Sequence, residues 1–247
     1  MDTKPLWVRL LYAARDLRSR ALFEALARHS RGAVLDVGGW DFFLTARARG
    51  VPFERWTTLE RGPGPHPALD DPRFELVRGD GCAMTFADGS FDTVLCIQVL
   101  EHVLEPLRLV AEVGRVLRAD GTAVFLIPQT GTTHLAPHYF GNFSRWWIEA
   151  ALERAGLAVV EHRRLGGVWS SQASHLVFFF LQALRLPGMS DPDVRRGPLF
   201  WLLLPLMVVW ALVSIPVALL FSLGELGEEP NNHLVVARPA GRSGAGA

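Results

Sequence analysis

From Ala33 onward the chain alternates between two hydrophobic rhythms. Short apolar runs give way to stretches in which apolar residues recur every three or four positions. The first rhythm predicts β-strands and the second amphipathic helices, and their alternation predicts βαβ units in a mostly parallel sheet. Strands are expected at 33–37, 56–60, 74–78, 92–97, 122–127, 157–164 and 233–238, and helices at 41–49, near 99–103, at 105–118 and at 145–155. Leu107, Val110, Val113, Val116 and Leu117 form one face of the helix at 105–118. Asp120-Gly121 predicts a turn into the fifth strand. Pro128 predicts its end, because proline donates no hydrogen bond to a ladder. Ser144 reads as the N-cap of the helix at 145–155 and Gly156 as its stop.

Two segments break this rhythm. Residues 5–29 read as a basic amphipathic helix, with Leu6, Leu10, Leu17, Phe23 and Leu26 set among Arg9, Arg15, Arg18, Arg20 and Arg28. Such a helix packs on the domain or lies on a membrane surface. Residues 166–232 form an insertion, and between Arg196 and Glu225 no residue is charged. The stretch 198–223 is longer than the ~20 apolar residues a bilayer crossing requires. A single crossing would leave the last strand on the wrong side of the membrane. The segment is therefore expected to dip in and out as a bent hairpin broken at Pro205 and Pro216, or to lie in the interface with Trp201 and Trp210 at headgroup depth. A helical lid on the domain or on a second subunit is the alternative. Membrane contact through 198–223 is favoured, because no polar face exists for a soluble lid to show to water. The resulting division is an N-terminal helix (1–31), a domain formed by 32–165 with 233–239, the insertion 166–232, and a flexible tail (240–247).

The 247 residues suit one domain with an insertion; 49% are hydrophobic and the mean hydropathy is +0.20. Twenty-five basic residues balance 25 acidic ones, which gives no electrostatic reason for nucleic acid as a partner. Cys82 and Cys96 are too few for a disulfide framework and lack metal-ligand spacing. The first residues are not expected to form a signal peptide, since Arg9 interrupts any apolar core. A cytoplasmic, membrane-associated protein is expected.

The chemistry lies at the strand ends. Gly38-Gly39 follows the first strand and permits close backbone approach to a ligand, and Asp36 sits just before it. Glu60 ends the second strand about 20 residues on, where a carboxylate can accept from both hydroxyls of a ribose. Asp80-Gly81 follows the third strand, where an adenine edge can be met. Gln98, Glu101 and His102 follow the fourth, with Gln98 at the pocket floor. His134, His138 and Tyr139 cluster after the fifth and are expected to line a substrate pocket. No metal is expected there, because two histidines four apart in a Pro-containing loop lack a paired carboxylate.

The ordered set Val34-Leu-Asp-Val-Gly38, Leu59-Glu60, Gly79-Asp80, Ala87-Asp-Gly-Ser-Phe-Asp92, Leu100-Glu-His102 and Gly114-Arg-Val-Leu-Arg-Ala-Asp-Gly121 resembles the class I S-adenosylmethionine-dependent methyltransferases, most closely the methyltransferase type 11 group. Pro137-His-Tyr-Phe140 with Phe143-Ser-Arg145 is similar to a segment of members encoded with surface-polysaccharide and glycolipid enzymes. The resemblance covers 33–165 and 233–239. It implies a doubly wound, Rossmann-like α/β fold: a seven-stranded sheet in the order 3-2-1-4-5-7-6, with 233–238 antiparallel and the hydrophobic helical insertion just before it. It implies S-adenosylmethionine as cofactor, with Asp36 and Gly38 at its methionine end, Glu60 at its ribose, and Asp80 and Gly81 at its adenine; Gly39 and Gln98 are expected to complete the cofactor site. In one respect the chain departs from the pattern. Where the family turn carries three alternating glycines, this chain has Gly38, Trp40 and Phe42.

The expected function is methyl transfer to a small-molecule, glycan or lipid-linked acceptor at a membrane. No catalytic residue is assigned; His102 and His138 are the candidates should a hydroxyl acceptor need a base. A rival is an inactive scaffold of the same fold docked on a membrane enzyme. A dehydrogenase is disfavoured, since the turn lacks Gly-x-Gly-x-x-Gly and Lys4 is the only lysine.

Overall fold

The computed structural model of the chain describes residues 19–62, 70–185, 191 and 193–241. Strand β1 (Ala33–Val37) is buried at every position, as a strand covered on both faces must be. It pairs in parallel with β2 (Arg55–Glu60) on one side and β4 (Phe91–Ile97) on the other. Beyond them lie β3 (Phe74–Arg78) and β5 (Leu117–Pro128). β7 (Asn232–Pro239) inserts antiparallel between β5 and β6 (Leu157–Leu165), which closes the seven-stranded order β3-β2-β1-β4-β5-β7-β6. This is the expected topology.

Helices cover both faces. The described part of α1 (residues 19–29) and α2 (Phe42–Ala48) bury Leu22, Leu26, Phe43 and Ala46 against Val34, Trp56, Leu95 and Leu234. Trp56 is fully buried among the rings of Phe43 and Phe53, both edge-on at 5.7 and 5.5 Å. On the other face α3 (Pro106–Val116) and α4 (Arg145–Arg154) bury Leu109, Val113, Ile148 and Leu152 over Leu35, Val94 and Phe125. Each such side chain contributes roughly 1.5–3 kcal/mol of hydrophobic stabilisation. Ser144 caps α4 as expected, its hydroxyl accepting from Trp147 N–H, and Gly156 follows at φ +71°. Of the expected helix at 5–29, residues 5–18 lie outside the described residues, as do 242–247 of the expected tail.

Two expectations are corrected. The fifth strand begins at Leu117, not after Asp120-Gly121. Leu117 pairs with Phe91 and Thr122 with Thr93, so the intervening residues bulge out of register within the strand rather than form a turn. There Asp120 meets the guanidinium of Arg31 at 2.7 Å. The second correction concerns the insertion. It folds as α5 (Val168–Ala183) and α6 (Pro198–Phe221), and α6 runs through Pro205 and Pro216 without interruption. The bend lies instead between the two helices. They pack antiparallel: Val168 N–H donates to Leu226 O, and the rings of Trp169 and Phe221 stand 4.9 Å apart near the domain, while the Arg196 guanidinium donates to Gln182 O at the far end.

Candidate active site

The turn after β1 is knitted to β2 by two hydrogen bonds, with a glycine between them. The Gly38 N–H donates to Leu59 O at 2.8 Å, with Gly38 at φ +67°. A Cβ on Gly39 would stand 1.8 Å from the Asp36 carboxylate, so glycine there makes room for Asp36. Trp40, itself at φ +46°, donates its N–H to Glu60 Oε1 at 2.6 Å. The end of β2 and the turn after β1 are thereby fixed to each other.

Asp36 is fully buried, and neither carboxylate oxygen has a hydrogen-bond partner among the described residues. Burial, and then the charge of Glu60, pushes its pKa up to about 8. The indole N–H of Trp56, on the adjacent strand, pulls weakly the other way without meeting hydrogen-bond geometry.

The other strand ends converge beside this turn. Asp80, after β3, accepts from Cys82 N–H at 2.8 Å through Oδ1, and Arg61 stands 3.7 Å from Oδ2. Gly81 brings its main chain against Val37 and Leu109, where a Cβ would stand 3.3 and 3.2 Å away. Gln98, after β4, sits at φ +55° with its Nε2 donating to Asn232 Oδ1 at 2.7 Å. A cavity of about 500 Å³ opens there, lined by Gly38, Gln98, Val99, His102, Leu135, Ala136 and His138. Asp36, Gly38, Gly39, Glu60, Asp80, Gly81 and Gln98 thus stand at the carboxyl ends of four neighbouring strands.

Of the expected substrate-pocket residues, His138 lines the cavity, whereas His134 and Tyr139 stand one layer back. Their rings lie 4.8 and 5.8 Å from that of His102. His102 is held by an Nδ1–H bond of 2.6 Å to the carbonyl of His138, and burial lowers its pKa. Beside it lies Glu101, which sequence reading names without a role. Its side chain is fully buried, both oxygens lack partners among the described residues, and burial raises its pKa to about 7. Burial, and then the Glu101 charge, pushes Tyr139 up to about 12. Asn232, the partner of Gln98, was also missed, because only β7's place in the sheet carries residue 232 to residue 98.

This set suits an adenosyl sulfonium donor. Gly38 leaves the main chain open to it, carboxylates stand at the second and third strand ends, and the buried Asp36 carboxylate lies beneath the turn without a partner. Ligand groups at the carboxyl ends of the strands of an open α/β sheet are where such folds bind nucleosides. The comparisons agree. Residues 56–125 match the model of the methyltransferase domain family. An uncharacterized methyltransferase of Mycobacteroides abscessus is 36% identical over 137 residues, which cover 50% of this chain and 52% of that protein. One of Mycobacterium avium is 34% identical over 148 residues, covering 53% and 57%. The chain spans about half the length of the curated relatives it matches. A chain of the complex between the Haloferax volcanii Trm112 methyltransferase activator and a methyltransferase superposes with a TM-score of 0.58 at 15% identity, over 92% of this chain and 91% of that one. The Haemonchus contortus phosphoethanolamine N-methyltransferase 2, solved with S-adenosyl-L-methionine, gives 0.56 at 14% identity, over 91% and 52%. At these identities the two structures attest the fold. The fold and the matched segment 56–125 are similar to those of the S-adenosylmethionine-dependent methyltransferases, and the curated relatives above are described as methyltransferases.

Proposed function

We propose that the protein transfers a methyl group from S-adenosylmethionine to a small-molecule, glycan or lipid-linked acceptor at the cytoplasmic surface of a membrane. The observation that carries this reading is the convergence of Gly38, Glu60, Asp80 and Gln98 on one edge of the sheet, beside a cavity of acceptor size. The donor supplies an electrophilic methyl on sulfur, and the chain's task is alignment and exclusion of water. Glu60 holds the ribose, Asp80 and Gly81 the adenine, and Asp36, Gly38 and Gly39 the amino-acid end. His138 and His102 face the acceptor. In the domain division that follows, 32–165 with 233–239 is the methyltransferase domain and 166–232 its membrane-facing insertion.

The membrane part of the proposal rests on the hairpin. α6 is 24 residues long, or about 36 Å, against a hydrocarbon core of ~30 Å. Leu202, Leu206 and Trp210 are 75, 67 and 65% exposed, and only Ala211 and Ala218 of the helix are buried. α5 reaches back to the cavity loop: Ser171 and Thr130 share a 2.8 Å hydroxyl contact, and the Phe178 ring lies 6.4 Å from His134. An apolar surface joined to the loop that lines the cavity supports an acceptor drawn from lipid.

The scaffold reading is favoured by one feature, Trp40 in a turn where the usual pattern of the family it resembles has glycine. Calorimetric titration with S-adenosylmethionine and with NAD separates the readings. Micromolar binding of the first alone, lost in Glu60→Ala and Asp80→Ala, is expected; no binding of either would favour the scaffold.

A further inference from the structure

Glu101 and His102, neighbours in the chain, come together behind the cavity wall with His134, which is distant from them in sequence. One ligand atom from each lies within 4.8 Å of the others, and His102 Nε2 stands 4.0 Å from Glu101 Oε1. The orientation of the rings is more telling than the distances. His102 Nδ1 faces the carbonyl of His138 at 2.6 Å, and His134 Nδ1 faces the carbonyl of Thr132 at 2.9 Å. A carbonyl only accepts, so in both rings Nδ1 carries the proton and Nε2 keeps its lone pair. Metal-ligating histidines are held this way, with one nitrogen donating to a main-chain carbonyl and the other turned to the ion.

The carboxylate completes the set. Glu101 is fully buried with both oxygens unpartnered among the described residues, a costly arrangement unless something neutralises it. Tyr139 does not serve, since its hydroxyl donates to Asn142 Oδ1 at 2.8 Å. Sequence reading rejects a metal because the loop histidines lack a carboxylate; the fold brings one from the end of β4.

We propose that Glu101, His102 and His134 bind one divalent transition-metal ion at the wall of the acceptor cavity. Two imidazoles and one carboxylate suit zinc and its neighbours rather than magnesium or calcium, which prefer all-oxygen shells. Ligands on one such ion stand ~3–4 Å apart, so a shift of about an ångström closes the site. His102 also lines the cavity, which puts a remaining coordination position on the acceptor side. A hydroxyl acceptor bound there becomes more acidic and releases its proton to water. The resulting oxygen anion then forms its bond to the donor's methyl carbon as the methyl–sulfur bond breaks. This use rests on the methyl-transfer reading; the site itself does not.

The test is a titration of tag-free, chelator-treated protein with Zn²⁺ alone, read by calorimetry and by metal content after gel filtration. One ion per chain is expected, weakened by ~10-fold or more in each of Glu101→Gln, His102→Gln and His134→Gln. Circular dichroism checks that the variants fold. If they do not, Co²⁺ bound to the wild-type protein provides the second readout, with an intense ligand-field absorption expected from an imidazole–carboxylate site of low coordination number. Absence of stoichiometric Zn²⁺ binding, or equal binding by folded His134→Gln and Glu101→Gln proteins, overturns the proposal, as does a Co²⁺ spectrum of the hexa-aqua ion. S-adenosylmethionine is absent from the experiment, so its outcome is independent of the donor site.

Discussion

The carboxylate of Glu60 accepts a 2.6 Å hydrogen bond from the main-chain N–H of Trp40. The indole is 41% exposed, so the turn uses the backbone of this residue rather than requiring its ring in the core. Trp40→Gly keeps the donor and removes the cost of φ +46° in a bulky residue, roughly 1 kcal/mol. We expect thermal denaturation to show equal or higher stability and calorimetry to show donor affinity equal to or better than wild type. A large loss of donor affinity would make the indole part of the binding surface.

Gly39 makes room for the Asp36 carboxylate. Gly39→Ala places a methyl group 1.8 Å from Oδ2 and is expected to destabilise by about 1–3 kcal/mol. Combined with Asp36→Ala, most of that loss is expected to disappear, giving a coupling in a double-mutant cycle by urea denaturation. Strict additivity would place the clash elsewhere.

Asp36 also sets a pH dependence. Its pKa of about 8 in the fold lies above the unfolded value of 3.8, so between these limits the native state holds a proton that the unfolded chain has released. Stability from this group is fully present at low pH and declines as pH rises toward 8, by up to about 1.4 kcal/mol per pH unit. Glu101 acts with the same sign up to about 7. His233 acts oppositely: burial lowers it to about 4, so it favours the fold as pH rises from 4 toward 6.5. The interval from about pH 7 to 8 therefore isolates Asp36. There the wild-type melting temperature is expected to fall with rising pH and that of Asp36→Asn to stay flatter; parallel curves would contradict the assignment.

The hairpin gives a prediction that depends on neither cofactor nor acceptor. Leu202→Glu with Leu206→Glu places two charges on exposed positions of α6, with little cost to the packed domain. We expect the wild-type protein to float with phospholipid vesicles in a density gradient and the double variant to stay at the bottom. Co-flotation of both, or of neither, would remove the membrane role of α6.

The strands were legible because their signals are local: an apolar run, a small or acidic residue at its end, a helical stretch after it; their order in the sheet came from the family resemblance. Glu60 and Asp80 were read from those local signals alone. The early start of β5 was not, because Asp120-Gly121 reads as a turn and only pairing with β4 holds it extended. Pro205 and Pro216 were read as breaks, yet each removes a single donor from a helix whose other bonds persist. The grouping of Glu101 and His102 with His134 was invisible, since it depends on the loop after β5 folding back across the end of β4, a contact that no spacing in the sequence encodes.

The most direct test of the account is a crystal structure of the protein with S-adenosylhomocysteine. The account expects the nucleoside across the carboxyl ends of β1, β2, β3 and β4, with the ribose hydroxyls on Glu60 and the adenine beside Asp80. Density for the nucleoside at any other place, or a groove filled by the Trp40 indole at saturating ligand, would contradict it.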